Sequence, residues 1–153
     1  MGLAVLAAGL AGCTPPPAEN TVIYGLEAEN DAGWCLPEAQ LAIAGLQTTR
    51  AMFDPLTIPD ENGEYVPFLA KDVTSNDDFT EWTITLRKGV TFHDGTPLNA
   101  QVVKNNLDAS RAQYPGRSPL LQIFIYKDIA SVDVVDDLTV KVTTSVPWRA
   151  FPA

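Results

Sequence analysis

Hydrophobic and polar positions alternate most regularly in residues 82–86, where threonines separate Trp82, Ile84 and Leu86. A period of two places every second side chain on one face of a β-strand, so these three side chains are predicted to face a core. A Lys-Gly pair at residues 88–89 predicts a turn, and residues 90–92 resume the alternation. The pattern therefore predicts two strands joined by a short turn.

A helix and a second hairpin are predicted to follow. Asn99 is a favourable N-cap, and apolar residues recur behind it at helical spacing as far as about Ala112. Residues 129–135 and 138–144 predict a hairpin around an Asp-Asp turn. Four strand-like runs and one capped helix predict a compact α/β sub-domain between Glu64 and Thr144, with a mostly antiparallel sheet. Its predicted core consists of Trp82, Ile84, Leu86, Val90, Phe92, Val103, Leu107, Val132, Val140 and Val142.

The patterns in the remaining segments are weaker. Residues 21–26 are almost all apolar, which is typical of a strand covered on both faces. Pro37 and Glu38 predict the start of a helix whose apolar stripe extends to Met52 and Phe53. Residues 60–64 predict a polar hairpin turn. The apolar run at residues 120–125 is compatible with a helix or a strand, and its periodicity does not decide between them.

Charge and composition exclude several classes of function. The 153 residues include 19 acidic and 10 basic side chains, giving a formal charge of −9, and the basic residues form no cluster. A nucleic-acid partner is therefore not expected. His93 is the single histidine, so this chain can build neither a histidine-based metal cluster nor a Ser-His-Asp triad. It also contains no Gly-rich phosphate loop, no CxxC motif and no HExxH motif.

The stretch WTITLRKGVTFHDGTPLNAQVV, residues 82–103, resembles the signature of the solute-binding proteins of peptide- and nickel-type ABC importers, known as bacterial extracellular solute-binding protein family 5. The matching positions are Trp82, Thr83, Leu86, Arg87, Gly89, Val90, Phe92, His93, Asp94, Gly95, Pro97, Ala100 and Val103. Val102 departs from the family, which usually has Asp there, and this removes a carboxylate worth about 0.5 kcal/mol from the first helical turn. FDPL at residues 53–56 and VPFLA at residues 66–70 resemble two further parts of the family pattern.

This resemblance, which covers about residues 21–151, implies an incomplete α/β fold. The chain would begin a lobe like that of the type II periplasmic binding proteins and continue into an accessory sub-domain at about residues 55–150. The implied function is capture of a peptide-like small solute and its delivery to the permease subunits of an ABC transporter, without a cofactor or a metal. A lipid-anchored adhesin or sensor with the same fold is the alternative. An enzyme is not predicted, and His93 and Asp94 are assigned to a structural turn.

The amino terminus predicts export and lipid anchoring. Residues 1–13 form an apolar run that is too short to span a bilayer and ends in LAGC, which looks like a bacterial lipobox. Lipidation of Cys13 would anchor the protein to the cell membrane in an extracytoplasmic location, and the Pro-rich residues 14–20 would form a tether. Basic residues usually precede such a run, and we attribute their absence to a start codon further upstream. The alternative is a short buried helix with a packed cysteine.

Candidate ligand contacts follow the first predicted strand, because in the family the carboxyl end of this strand opens onto the ligand cleft. Glu27 and Glu29 would meet the ammonium group of a peptide, while the alternative is a solvated acidic loop. Trp34 is either a pocket wall or, as we prefer, a core residue. Cys35 either pairs with a cysteine outside this chain or is buried as a free thiol. The predicted contacts are Glu27, Ala28, Glu29, Asn30 and Trp34.

Overall fold

The computed structural model describes residues 20–26, 43–116, 119 and 122–152. In chain order, the helices and strands of this part are α1 (Ile43–Thr49), β1 (Thr57–Pro59), β2 (Tyr65–Pro67), β3 (Ala70–Ser75), β4 (Glu81–Leu86), α2 (Ala100–Ser110), α3 (Gln122–Tyr126), β5 (Ile129–Asp136) and β6 (Thr139–Thr144). The last four strands form an antiparallel sheet in the order β3-β4-β6-β5, and β1 pairs with β2 in a separate hairpin. The predicted α/β sub-domain with an antiparallel sheet is therefore present.

One face of the four-stranded sheet carries the core. Trp82 and Ile84 of β4 lie opposite Val142 and Val140 of β6, and Val132 of β5 also lies opposite Val142. These positions share a face because side chains alternate along a strand, and none of them is more than 6% exposed. The period-two pattern of the sequence therefore identified the correct face of both central strands.

Most of the predicted core is buried as expected. Within the described part of the chain, the buried members of the prediction are Trp82, Ile84, Leu86, Val103, Val132, Val140 and Val142. Val90 and Leu107 are partly buried and pack against them. The prediction for Phe92 is wrong, because its side chain is 43% exposed. Further core positions that the sequence did not single out are Ala70, Leu98, Ala100 and Ile129.

Phe92 is exposed because residues 90–92 do not form the predicted strand. An isolated bridge joins Thr91 to Pro97, and the Phe92 N–H donates to the carbonyl oxygen of Thr96 at 2.8 Å. These bonds close the backbone into a turn and leave no continuous ladder. The fourth strand of the sheet is instead β3, which pairs with β4 and has a bulge between Ala70 and Asp72. Its sequence, AKDVTS, lacks the alternation that identifies a half-buried strand.

Helix α2 confirms the predicted capped helix. Asn99 has an extended backbone, and its side-chain oxygen accepts a hydrogen bond from the Val102 N–H at 3.0 Å. This bond satisfies one of the backbone donors that every helix start leaves unpaired. The helix ends at Ser110, close to the predicted end.

A network of charged groups fastens α2 to the sheet. The Asp108 carboxylate accepts hydrogen bonds from Lys104 and Arg111, each at 2.9 Å. Lys104 also donates to the carbonyl oxygen of Val132 at 2.7 Å, and Arg111 donates to the carbonyl oxygen of Ile129 at 3.2 Å. Both cations therefore connect the helix to backbone oxygens of β5.

Two predictions for the amino-terminal half are wrong. Residues 21–26 form no strand, and Val22 and Ile23 are 90% and 75% exposed. A strand covered on both faces requires hydrogen-bonded neighbours, and in the described residues no strand pairs with this segment. Helix α1 ends at Thr49, so the predicted apolar stripe does not reach Phe53, which is 45% exposed. Pro55 disfavours helical dihedral angles for the residue before it, which helps to keep the chain from continuing as a helix.

The remaining patterns are resolved by the structure. The ambiguous apolar run is helical over Gln122–Tyr126. The polar turn at residues 60–64 connects β1 and β2, and Asp60 Oδ1 accepts hydrogen bonds from the N–H groups of Asn62 and Glu64 at 2.8 and 2.9 Å. The hairpin of β5 and β6 is present around its Asp-Asp turn. Residues 37–42 of the predicted first helix lie outside the described residues.

Candidate functional site

The residues that the sequence assigns to function lie outside the described part of the chain. They are the lipidation site Cys13, the unassigned thiol Cys35 and the predicted ligand contacts Glu27, Ala28, Glu29, Asn30 and Trp34. Residues 20–26 precede the predicted ligand contacts in the sequence, and α1 follows them. These two described segments are in contact, because the Tyr24 hydroxyl donates to Gln47 Oε1 of α1 at 3.3 Å. The assignments to lipidation and to ligand binding stay predictions.

A cavity of about 600 Å³ lies where the chain enters and leaves the sheet region, and we call it the neck cavity. The lining residues include Val73 and the almost fully buried Ile84, which are register partners on β3 and β4. Leu107 of α2 and Phe151 form further walls, and residues 53–59 line the remaining side. This volume falls in the range of about 300–1,000 Å³ that is usual for small-molecule sites.

Hydrogen bonds hold the walls of the neck cavity in place. The Thr57 hydroxyl donates to the carbonyl oxygen of Pro152, which joins β1 to the last described turn. The Ala70 N–H donates to the carbonyl oxygen of Leu56 at 3.1 Å, which fixes residues 55–57 beside the start of β3. The cavity is therefore bounded by segments that are bonded to one another, although they are distant in the sequence.

The rim of the neck cavity carries one cation and one anion. Arg50 directly follows α1 and Asp54 lies four residues further along the chain, and both side chains are exposed. Within the described residues, neither side chain has an ion-pair or hydrogen-bond partner. A guanidinium can donate two parallel hydrogen bonds to a carboxylate, and an aspartate can accept hydrogen bonds from N–H groups. Apolar walls with both charges at the rim suit a small ligand that carries polar ends.

Tyr126 and Phe151 line the neck cavity and belong to a chain of aromatic contacts that leads into the core. Burial raises the pKa of the Tyr126 hydroxyl above 10.0, so this group stays neutral at pH 7. The ring centroids of Tyr126 and Trp148 are 6.4 Å apart, those of Trp148 and Phe151 are 5.4 Å apart, and those of Phe151 and Trp82 are 5.5 Å apart. These contacts were not predicted from the sequence, because no local pattern connects the aromatic residues.

A second cavity of about 570 Å³ lies on the other side of residues 53–56, which line both cavities. Its other walls are mainly apolar and include Val90, Leu98 and Val103. Phe92, whose side chain is 43% exposed, also lines it. His93 lies at this cavity and is followed by the turn residue Asp94.

The turn that contains His93 has a structural explanation. Asp94 Oδ1 accepts hydrogen bonds from the Thr96 hydroxyl at 2.7 Å and from the Thr96 N–H at 2.9 Å. These two bonds, and to a lesser extent the charge of His93, lower the pKa of Asp94 below its ordinary value. Asp94 thus stabilises the backbone of the turn, as predicted.

The described residues contain no candidate metal site and no membrane-spanning helix. No three His, Cys, Asp or Glu side chains among them are grouped so as to hold a metal ion. Within the same part of the chain, none of the helices has the length and apolarity needed to cross a membrane. The neck cavity and the second cavity are therefore the candidate sites of the described structure.

Comparisons with known proteins agree on one family. Residues 64–153 match the family described as bacterial extracellular solute-binding proteins, family 5 Middle. The glutathione-binding protein GsiB of Salmonella choleraesuis is 48% identical over 83 residues, which make up 54% of this chain but only 16% of GsiB. GsiB of Escherichia coli K12, also named as a glutathione-binding protein, is 43% identical over 83 residues.

Solved structures show the same fold. NikZ from Campylobacter jejuni, solved with Ni(L-His), has a TM-score of 0.53 and 30% identity, and the match covers 63% of this chain and 19% of NikZ. The murein tripeptide binding protein MppA of Escherichia coli has a TM-score of 0.62 and 25% identity, covering 79% of this chain and 26% of MppA. The described structure is thus part of a type II periplasmic-binding-protein fold. Since the family match spans more than half of its residues, the chain belongs to the bacterial extracellular solute-binding proteins of family 5.

Proposed function

We propose that this chain is part of a lipid-anchored solute-binding protein that captures a peptide-like small solute and delivers it to the permease of an ABC importer. The observation that carries the proposal is the family match over residues 64–153, together with 48% identity to a glutathione-binding protein. Because the match covers only 16% of that relative, the activity of the whole protein is inferred from its family.

The proposed mechanism is binding and closure without chemistry. Two lobes close around the solute because the solute binds the closed form more tightly than the open form. No bond is made or broken, so neither a cofactor nor a catalytic residue is needed. The closed complex would then be recognised by the membrane permease.

The residues proposed to contact the ligand are Glu27, Ala28, Glu29 and Asn30, together with Trp34. They follow the apolar segment 21–26, and the two carboxylates suit the ammonium group of a peptide through charge-assisted hydrogen bonds. The test is isothermal titration of the whole protein with glutathione and a tripeptide, for the wild type, Glu27→Gln and Glu29→Gln. Loss of one such bond should weaken binding about tenfold or more.

Glu61→Gln provides the matched control, because Glu61 is an exposed carboxylate in the turn between β1 and β2. It should leave the affinity unchanged. Mass spectrometry of ligand carried through purification from the native host would identify the solute class independently. A neutral sugar or a polyanion as the natural ligand would contradict the assignment of Glu27 and Glu29. If the purified protein binds the solute but a strain that lacks the protein still takes the solute up at the normal rate, a sensor would be favoured.

Lipidation of Cys13 is a separate part of the proposal. Its basis is the lipobox-like sequence LAGC at residues 10–13, followed by a Pro-rich stretch that suits a tether. Metabolic labelling with palmitate in the native host should label the wild type and a Cys35→Ser control, but not Cys13→Ser. Equal labelling of Cys13→Ser and the wild type would show that the anchor is not at this cysteine.

A further inference from the structure

Strand β5 forms one edge of the four-stranded sheet, because within the described residues it pairs with β6 alone. Along an antiparallel strand, the backbone groups of successive residues point alternately to the two sides. The Thr144 N–H of β6 donates to the carbonyl oxygen of Thr80, on the β4 side. Ile129, Val132 and Val134 lie opposite Thr144 and the residues two and four positions before it, which point to the same side. The backbone groups of these three β5 residues therefore face away from β6, towards the free edge.

Charged side chains of α2 occupy part of this free edge. Lys104, Asp108 and Arg111 lie on one stripe of the helix, at spacings of four and three residues. Lys104 donates to the carbonyl oxygen of Val132 at 2.7 Å. Arg111 donates to that of Ile129 at 3.2 Å. Asp108 accepts from both cations at 2.9 Å and so holds them over the strand. These three side chains, which we call the edge clamp, engage the acceptors that a further strand would require.

The second half of β5 is protected by other means. Residues 133–136 are exposed, and none of the described side chains donates to the outward carbonyl oxygen of Val134. This half carries the carboxylates of Asp133 and Asp136 and a bulge between Val134 and Asp136. Charges and bulges are two devices by which sheets discourage a further strand, and cover by a helix is a third. Each half of β5 therefore carries a barrier to strand addition.

We propose that the edge clamp prevents β5 from pairing with β5 of a second copy of this chain. A free edge binds an extended strand that has unpaired N–H and C=O groups of its own, and an unclamped β5 presents these groups. Two identical strands that pair in antiparallel direction are related by a two-fold axis, so the product is a closed dimer. The proposal concerns self-association and does not depend on the solute that the protein binds.

Sedimentation velocity of the whole protein that contains this chain tests the proposal. Lys104→Met combined with Arg111→Met keeps much of each apolar stem and removes both donors. This double variant should form dimers at concentrations about tenfold or more below those at which the wild type does. Lys88→Met combined with Lys127→Met is the matched control. It removes the same charge from two exposed side chains that belong to no contact with β5, so it should associate like the wild type.

Two further measurements locate the dimer contact. In the double variant, the amides of residues 129–136 should become more protected from hydrogen exchange as the concentration rises. Adding Val134→Pro removes an outward N–H that takes no part in the bonds to β6, so it should weaken the dimer about tenfold. Melting curves show whether each variant folds. If the double variant does not fold, Lys104→Met alone carries the same test, because it frees the carbonyl oxygen of Val132.

Three results would overturn the proposal. The first is a folded clamp variant that associates no more tightly than the wild type. The second is a dimer that Val134→Pro does not weaken, since its contact would lie on another surface. The third is assembly beyond the dimer, which a closed pairing of β5 with β5 does not allow. None of these results would contradict the proposed role in solute transport.

Discussion

Trp82 and Phe151 pack with their ring centroids 5.5 Å apart, which joins the centre of the sheet to the last described turn. Trp82 is 6% exposed, and its indole N–H has no hydrogen-bond partner in the described structure. The contribution of this side chain to stability must therefore come from packing and not from a hydrogen bond. Aromatic pairs of this kind contribute about 0.5–1.5 kcal/mol beyond their buried area.

Substitutions of Trp82 distinguish packing from hydrogen bonding as the source of its contribution to stability. Trp82→Ala should lower the free energy of unfolding by about 3–5 kcal/mol, because it removes the largest side chain of the core face. Trp82→Phe keeps an aromatic ring and removes the unpaired N–H, so its effect should be less than about half as large. Urea unfolding followed by circular dichroism measures both. Equal losses for Ala and Phe would indicate that the indole N–H has an essential partner.

The cap of α2 is predicted to contribute independently of the core. Asn99→Ala removes the bond from the side-chain oxygen to the Val102 N–H and should lower the free energy of unfolding by about 1 kcal/mol. Asn99→Ser retains a capping oxygen and should recover most of the loss. Asn105→Ala is the control, because Asn105 only accepts a bond from Gln101 on the same helix. If Asn99→Ser is as unstable as Asn99→Ala, the cap is not the source of the effect.

Asp108 should make stability decrease in acid. Its partial burial would by itself raise its pKa, but hydrogen bonds from Lys104 and Arg111, together with their charges, lower the pKa below 3.8. The unfolded chain therefore takes up a proton at higher pH than the folded protein. The stability that Asp108 contributes is complete above its unfolded pKa and is lost as the pH falls through its folded pKa.

Urea unfolding of the wild type and of Asp108→Asn between about pH 6 and about pH 2 tests this dependence. The wild type should lose more stability over this interval than Asp108→Asn. Asp77→Asn, at an exposed turn position, serves as the control for a missing carboxylate. If the wild type and Asp108→Asn lose the same free energy of unfolding over this pH interval, the contacts of Asp108 with Lys104 and Arg111 do not cause the acid sensitivity.

Any side chain at Gly89 should lower the free energy of unfolding, although there is space for one. Its φ is +83°, a left-handed conformation that L-residues rarely adopt, and no atom lies within 4 Å of a built Cβ. Gly89→Ala should therefore lower the free energy of unfolding by about 1 kcal/mol through backbone strain alone. Gly25→Ala, which also has open space but no positive φ, should change stability by less than about 0.5 kcal/mol. Equal effects would exclude backbone strain as the cause.

The sequence by itself determined the central part of this fold. The alternation in β4 and β6, the Lys-Gly turn and the cap at Asn99 are local features, and each depends on residues a few positions apart. A strand has a side-chain period of two whatever its partner is, so the buried face of Trp82, Ile84 and Leu86 is visible in the sequence. The signature at residues 82–103 likewise indicated the family without any structural information.

The tertiary structure decided those features that depend on contacts between residues distant in the sequence. β3 is a strand because β4 offers it hydrogen bonds, although its own sequence does not alternate. Phe92 follows the same period as the core residues, yet it is exposed because a turn with Thr96 replaces the ladder. The neck cavity could not be predicted, since its walls come from α1, both ends of the sheet region and α3. Local periodicity reports which face of an element is apolar, whereas contacts between distant segments depend on three-dimensional packing.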